Sequence, residues 1–509
     1  MKERKYITTP IYYVNGNPHV GHAHTSIMGD ILKREYELRS CDVYYTTGVD
    51  EHGQKNQSAI ETSGLSAQDY LDRQSKIFND LFDLLNVKYD KFVRTTSEEH
   101  KKAVQHVLNL VYQKGLIVNK EYEGLYCVGC EMFKTQNDLD ENGFCVDHQT
   151  KPIMMKESNY FFTLSAYQDW LIDYINKHPE WIQPEHYRNE ILHLLDEPLP
   201  DLCISRTKAR CWHGIELPFD KDYVAYVWFD ALINYISSLG YPDTEPPFAD
   251  YWNTCTHLMA KDIIKTHCIY WPIMLKAIGL EPQYNNYVHG YWTGEGGIKM
   301  SKTIGNVIDP YKVVEMFGVD PFRYFLARVM GDNESSMSYQ IVKNCYNFEL
   351  TNNISNALYR TMKLAYKQFK GIYPDVISFR AEDEAFLESV KEEVAIIISK
   401  SPSLSHINER AGKLYEMGKM VNLYFDKCAP WILVKEENQD NFNSCIMTCI
   451  EALRLIMEVA YPIMPRTSDR VLKSLGIEAE WRKNYEVKAH ALKLGTQFEE
   501  PFILFQRLE

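Results

Sequence analysis

Pro18-His19-Val20-Gly21-His22 puts two imidazoles and a glycine on one turn. A strand-like segment precedes it, and a helix begins at or just after it. A helix N-terminus offers unpaired N–H groups and the positive end of a dipole, so this is a natural phosphate site. Gly21 lets backbone and ligand approach closely, and His19 and His22 can donate to phosphate oxygens. Taken alone, the motif describes two ordinary histidines near a turn equally well. Far downstream stands Gly297-Ile298-Lys299-Met300-Ser301-Lys302-Thr303, with Gly294, Gly296 and Gly305 nearby. Two lysines three apart on a glycine-rich loop can close over a triphosphate, and mobile cations suit charge that builds only in the transition state. Alone, this too is a common solvated basic loop.

A third cluster is Cys127-x-x-Cys130 with Cys145-x-x-His148. Two such halves on one short segment form a tetrahedral zinc set with no open position, which is a structural site. Gly129 and Gly143 allow knuckle turns. The alternatives are CxxC redox chemistry or four unrelated residues. Of the twelve cysteines, Cys41, Cys203, Cys255, Cys268, Cys428, Cys445 and Cys449 read as small buried hydrophobes, because a disulfide framework is foreign to a large cytosolic chain.

The elements that must position these groups follow from hydrophobic period. Lys5 to Ile11 reads as a strand stopped at Pro10, His19 to Arg39 as a helix, and Cys41 to Thr47 as a second strand. That βαβ unit predicts a parallel sheet. Glu98 to Gly115 is helical, ending at glycine. From Tyr122 to about His213 short strands and frequent turns suggest an insertion. Val224 to Phe229 reads as a buried strand, as do His257 to Ala260 and Tyr287 to Tyr291, with a helix from Asp262 to Ile278 between the last two. From Asn344 to Leu475 the pattern is helical: Glu349 to Phe369, Glu382 to Ser399, Ile407 to Phe425 and Ser444 to Val459 form a bundle. No repeat, low-complexity segment or long linker is visible.

The chain has 509 residues, 45 % hydrophobic and 24 % charged, so it is globular with several cores. The start lacks the apolar region of a secretory signal, and no apolar run is long enough to span a membrane; the expected location is the cytoplasm. A net charge of −14 excludes broad, non-specific nucleic-acid binding, so any such contact rests on specific residues.

HxGH near the N-terminus followed by KMSKT after the last sheet strand is the signature pair of class I aminoacyl-tRNA synthetases. Over essentially its whole length the chain resembles methionyl-tRNA synthetases. The match is carried by residues 8–16 (TTPIYYVNG), 48–53 (GVDEHG), 226–231 (YVWFDA) and 299–307 (KMSKTIGNV). The resemblance implies a Rossmann-type α/β catalytic domain with a zinc-knuckle insertion, followed by an all-α anticodon-binding bundle. Its expected divisions are 1–114 and 214–292 for the catalytic halves, 115–213 for the insertion, 293–343 for the KMSKT loop and stem-contact region, and 344–509 for the bundle.

It further implies a methionine pocket of Ile11, Tyr13, Asp50, Trp228, Ala231, Tyr235 and His267. Asp50 suits the substrate ammonium, Trp228 and Ile11 offer apolar walls for a thioether, and Tyr235 and His267 can point a donor at sulfur. ATP, arriving with Mg²⁺, would meet His19, Gly21, His22, Asp262, Lys299, Met300, Ser301 and Lys302, with His19, His22, Lys299 and Lys302 catalytic. The tRNA anticodon would meet Asn356 and Arg360, one helical turn apart, and Trp431, by base-edge hydrogen bonds and stacking. Zinc on Cys127, Cys130, Cys145 and His148 would shape the insertion over the active site. The expected activity is ligation of methionine to its tRNA by a monomer. The other readings are a class I synthetase for another apolar amino acid, against which the absence of a large editing insertion argues, and a non-catalytic tRNA-binding relative, against which both intact signatures argue. Two departures stand beside the pocket: Ala260 where the family usually has glycine before Lys-Asp, and Leu232 where many relatives have proline.

Overall fold

The computed structural model describes residues 2–128, 132–134, 136–146, 149–297, 300, 307–329, 331, 334–478, 481–482 and 487–509. Six parallel strands form its central sheet: β1 (Arg4–Tyr13), β2 (Asp42–Asp50), β3 (Lys91–Arg94), β4 (Ile182–Gln183), β5 (Cys255–Ala260) and β6 (Tyr284–His289). Their order across the sheet is β3-β2-β1-β5-β6-β4. Neighbours on one side of β1 follow it early in the chain, and those on the other side come late. The carboxyl ends of β1 and β5 therefore flank a topological switch point, where open α/β sheets bind ligands.

The apolar runs are strands because both faces of the sheet are covered. Ile7, Tyr45, Val49, Leu258 and Val288 are almost wholly inaccessible. The expected stop at Pro10 is not observed. β1 runs on to Tyr13, and the proline sits where pairing with β2 slips, between Thr8 and Ile11. A residue without an N–H is tolerated at such an irregularity. The slip restores the ladder so that Ile11 faces Gly48 and Tyr13 faces Asp50. Gly48 has no alternative at its position, since a Cβ there would lie 2.1 Å from the carbonyl oxygen of Val93 on β3.

The expected strand Val224–Phe229 is corrected. Asp220–Ala225 is a strand, antiparallel to Ser205–Thr207 in a separate small sheet, and Val227–Leu232 is a helix. Trp228 and Ala231 thus project from a helical turn. The expected helix Asp262–Ile278 is three pieces: a 3₁₀ turn Lys261–Ile263, a π-helical stretch Thr266–Tyr270 and an α-helix Trp271–Ile278. Two helices, Gln54–Ser63 and Ala67–Leu84, lie in a segment given no elements above. The expected insertion holds a four-stranded antiparallel sheet that includes Ile117–Cys127 and Ile153–Phe162, but it also returns β4 to the edge of the central sheet.

The C-terminal part is helical as expected, with Ala381–Ser399, Leu404–Cys428, Gln439–Ala460 and Pro465–Ser474. Leu387, Val390, Val394 and Ile397 repeat at helical spacing and are buried against Leu414, Met417, Val421 and Leu453. The expected helix Glu349–Phe369 is a π-helical segment, Tyr346–Ser355, leading into an α-helix, Asn356–Phe369.

A buried ionic joint ties the two parts. Asp30, on the helix Val20–Leu38, accepts from Arg34 Nε at 2.7 Å, from Arg323 Nη2 at 2.6 Å and from the Lys88 N–H at 2.8 Å. Arg323 also donates to the carbonyls of Pro462 and Ile463, and Arg34 to the Tyr461 hydroxyl. Among the described residues no helix is long and apolar enough to cross a membrane.

Candidate active site

The helix Val20–Leu38 starts immediately past the β1 turn, and its cap is unusual. His19 Nδ1 accepts from the Gly21 N–H at 3.0 Å, while His22 Nδ1 accepts from the His19 N–H at 3.1 Å. This is a capping box built from two histidines. The rings stack with centroids 3.8 Å apart. Since each Nδ1 is an acceptor, the hydrogen-bond pattern assigns the proton to each Nε2. Gly21 has a second use here, because a Cβ would meet the folded-back His19 ring at 2.9 Å. The result is a helix N-terminus with two imidazole N–H donors beside it.

Asp50 ends β2 rather than following it, and is nearly buried at 4 % exposure. Its carbonyl accepts from Asn56 Nδ2 at 2.8 Å, and its carboxylate from the His52 N–H at 3.2 Å. Tyr13 pairs with it across the ladder and meets Trp228 edge-on at 6.4 Å. Ile11 lies two residues back on the same face of β1. Ala231 is one helical turn from Trp228 and buried. Tyr235 and His267 are in contact: the Tyr235 hydroxyl lies 2.6 Å from His267 Nε2, and His267 Nδ1 lies 2.9 Å from the Ile263 carbonyl. A carbonyl can only accept, so Nδ1 carries the proton and the tyrosine donates to Nε2. Burial lowers the His267 pKa to about 4, so the ring is neutral at physiological pH. The expectation of a donor aimed outward from this pair is not met in this arrangement, since both protons are already engaged.

Asp262 is exposed on the 3₁₀ turn past β5, and Met300 is half-buried against the core. Lys299, Ser301 and Lys302 lie outside the described residues, as do Cys130 and His148. Cys127 and Cys145 are described and buried. They converge on Thr150: Cys127 Sγ is 3.7 Å from its hydroxyl, and the Cys145 N–H donates to its carbonyl at 2.9 Å. Among the described residues no three His, Cys, Asp or Glu form a metal-binding group.

In the helical part, Asn356 Nδ2 donates to Asn422 Oδ1 at 3.1 Å, and Arg360 pairs with Asp426. The Arg360 guanidinium lies over the Phe425 ring at 4.6 Å, and Trp431, 40 % exposed, lies 6.0 Å from the same ring. Phe425 therefore gathers Arg360 and Trp431 on one surface. Sequence reasoning did not single it out, because a buried aromatic at helical spacing reads as core.

A further group went unrecognised: Asp230, wholly buried, lies 2.6 Å from His52 Nδ1 and 2.7 Å from His100 Nε2. Burial pushes its pKa up, but His52 and the hydrogen bonds from both imidazoles outweigh that and hold it at about 2. Both residues of the first pair stand in motifs quoted above, Asp-Glu-His-Gly and Trp-Phe-Asp-Ala, and that coincidence was the available signal.

Comparison with known proteins extends this picture. The family model described as tRNA synthetases class I (M) matches residues 5–141 and 134–362, and one described as the anticodon binding domain of methionyl tRNA ligase matches residues 374–509. The methionine–tRNA ligase of Fusobacterium nucleatum is 36 % identical over 516 residues, covering 100 % of this chain and 80 % of that protein. That of Rickettsia felis is 36 % identical over 520 residues, covering 100 % and 99 %. The Mycobacterium tuberculosis methionyl-tRNA synthetase in complex with methionyl-adenylate superposes with a TM-score of 0.92 at 31 % identity, over 99 % of this chain and 100 % of that one. With its histidine-capped helix at the head of a parallel sheet and a bundle matched by the methionyl-specific anticodon model, the chain belongs to the methionyl-tRNA synthetase family of class I aminoacyl-tRNA synthetases.

Proposed function

We propose that this protein is a methionine–tRNA ligase that activates L-methionine with ATP and transfers it to the 3′-terminal adenosine of the methionine tRNA. One observation carries the reading: an imidazole-flanked helix N-terminus and the Asp50 carboxylate stand at the ends of adjacent strands. An anion site and an ammonium site are thereby set side by side. The methionine carboxylate attacks the α-phosphorus of ATP, an oxygen–phosphorus bond forms, and pyrophosphate leaves. No side-chain nucleophile is needed, so the protein supplies position and charge. Nε2–H of His19 and of His22 donate to phosphate oxygens, with Gly21 at the helix N-terminus beside them. Asp262 stands on the ATP side of the pocket. Lys299 and Lys302 close on the leaving pyrophosphate, with Met300 and Ser301 in the same loop; Mg²⁺ accompanies the nucleotide. Asp50 holds the ammonium, and Ile11, Tyr13, Trp228 and Ala231 surround the side chain. Asn356, Arg360 and Trp431 read the anticodon. Residues 1–114 and 214–292 form the catalytic halves, 115–213 the insertion, 293–343 the loop and stem contact, and 344–509 the bundle. The accompanying location and state are the cytoplasm and a monomer.

The donor chemistry fits a structural zinc. Two cysteines of the set are buried and meet a single residue, Thr150, Cys127 through its thiol and Cys145 through its backbone N–H. Cys127, Cys130, Cys145 and His148 would hold the ion, and it would fix the loop ends of the insertion.

ATP–pyrophosphate exchange with each of the twenty amino acids tests the reading. Exchange with methionine alone is the expected result, and exchange with none by folded protein would refute it. The Tyr235–His267 pair gives a finer prediction. With its proton donated to His267, Tyr235 meets the thioether through ring contact and polarizability. Tyr235→Phe leaves a buried Nε2 unpaired, so urea unfolding should show a loss of about 1–3 kcal/mol. The preference for methionine over norleucine should shift by less than about threefold, inside what one methylene contact is worth.

A further inference from the structure

The buried His52–Asp230–His100 group touches three of the elements that line the proposed methionine pocket: the end of β2, the helix Val227–Leu232 and the short helix Asn234–Ser237 that carries Tyr235. Asp230 belongs to the helix Val227–Leu232, which carries Trp228 and Ala231. Its Oδ2 is bonded to His52, whose own backbone N–H donates to the Asp50 carboxylate. Its Oδ1 is bonded to His100, in the first turn of the helix Glu98–Gln113. His100 Nδ1 in turn lies 2.9 Å from the Ser237 hydroxyl, two residues past Tyr235 in the same short helix. His52, His100 and Asp230 are 3 %, 1 % and 0 % exposed. His213 lies against His52, with ring centroids 5.3 Å apart.

A buried carboxylate with both oxygens engaged fixes its partners in angle as well as distance. The His52 ring cannot turn without breaking its bond to Asp230, so its backbone N–H stays aimed at Asp50. That N–H holds Oδ1 of the Asp50 carboxylate and so restricts the direction in which the side chain can turn. The same Asp230 carboxylate sets the distance between Asp50 and the helix bearing Trp228. We propose that His52 and His100, acting through the carboxylate of Asp230, are positioning residues that aim Asp50 at the substrate ammonium. None of the three contacts substrate. This rests on the function proposed above, with Asp50 as the ammonium site.

A group that merely stabilised the fold would loosen the pocket toward every ligand. A positioning group is specific to the ammonium. The test is competitive inhibition by two probes: methioninol, which keeps the ammonium, and 4-(methylthio)butan-1-ol, which lacks it. The ratio of their inhibition constants reports what the ammonium contact is worth. In His52→Ala and Asp230→Asn that ratio is expected to collapse by about tenfold or more, the size of a charge-assisted hydrogen bond. The constant for the probe without nitrogen should stay within about twofold. His52→Asn places an amide N–H near the original Nδ1 and should recover most of the ratio. Should Asp230→Asn fail to fold, His100→Gln, which keeps a donor near Nε2, and His100→Leu, which does not, carry the same comparison. Equal weakening of both probes, or an unchanged ratio in His52→Ala and His100→Leu, would overturn the proposal. Absence of methioninol inhibition in the unaltered enzyme would instead defeat the ligase reading beneath it.

Discussion

Asp50→Ala is expected to lower kcat/KM for methionine in ATP–pyrophosphate exchange by about 10²–10³-fold, because truncating one partner of a buried charge pair costs about 2–5 kcal/mol. The side chain is 4 % exposed, so water does not replace it readily. Its backbone is held independently, by the ladder to Tyr13 and by Asn56, so the strand end survives the change. The loss should therefore concentrate on methionine, with KM for ATP within about threefold, since only interactions with the altered group are removed. Comparable losses in both KM values would mean that Asp50 shapes the cleft instead of binding the ammonium. Asp50→Asn should fall between wild type and alanine, since it keeps an acceptor and loses the charge.

The second large effect concerns stability. Asp30→Ala strips the shared carboxylate from Arg34 and Arg323, which are 1 % and 0 % exposed. Two like charges then remain buried and adjacent, and the expected cost is about 3–5 kcal/mol in urea unfolding. Adding Arg323→Met to that variant should recover part of it, because the second substitution removes an uncompensated charge. The pH dependence has a definite sign. Burial raises the Asp30 pKa, but Arg323 and Arg34 outweigh burial and hold it below the ordinary value. A lowered folded pKa gives a contribution that is fully present above the unfolded value of about 4 and is lost as pH falls through the folded one. Wild type should therefore lose this increment only in acid, while Asp30→Ala lacks it at every pH. A loss below about 1 kcal/mol, typical of exposed pairs, would show that the joint does not hold the two parts together.

How far the sequence could be read depended on whether the relevant interactions were local. β1, the helix after it and β2 were legible because strand and helix periods alternate there within fifty residues. The long helices of the bundle were legible for the same reason. Val224–Phe229 was misread because a short apolar run has no period long enough to separate strand from helix. The π-helical turn carrying His267 was invisible because an i→i+5 bond changes the phase of a helix without changing its composition. Pro10 reads locally as a strand stop, and only the pairing with β2 reveals the slip that accommodates it. In the site, Asp50 and the paired histidines stood in compact motifs. The partners of Asp230 are 178 and 130 positions away, and nothing in a local window records such a meeting. The Asp30 joint is likewise assembled from segments far apart in the chain, with Arg323 separated from Asp30 by 293 positions.

The helix Val20–Leu38 joins two of the features described here. At its first turn stand the stacked histidines. Eleven positions along is Asp30, clamped from the far side by the joint that reaches Pro462 and Ile463. Nineteen residues of α-helix make a rod of about 28 Å. From Asp30 to His19 the lever is about 16 Å, so a tilt of about 3–4° at the joint displaces the imidazoles by about 1 Å, the scale at which catalysis by positioning fails. The ionic joint thus fixes the direction of this helix, and the stiffness of its salt bridges sets how far the two stacked imidazoles can swing.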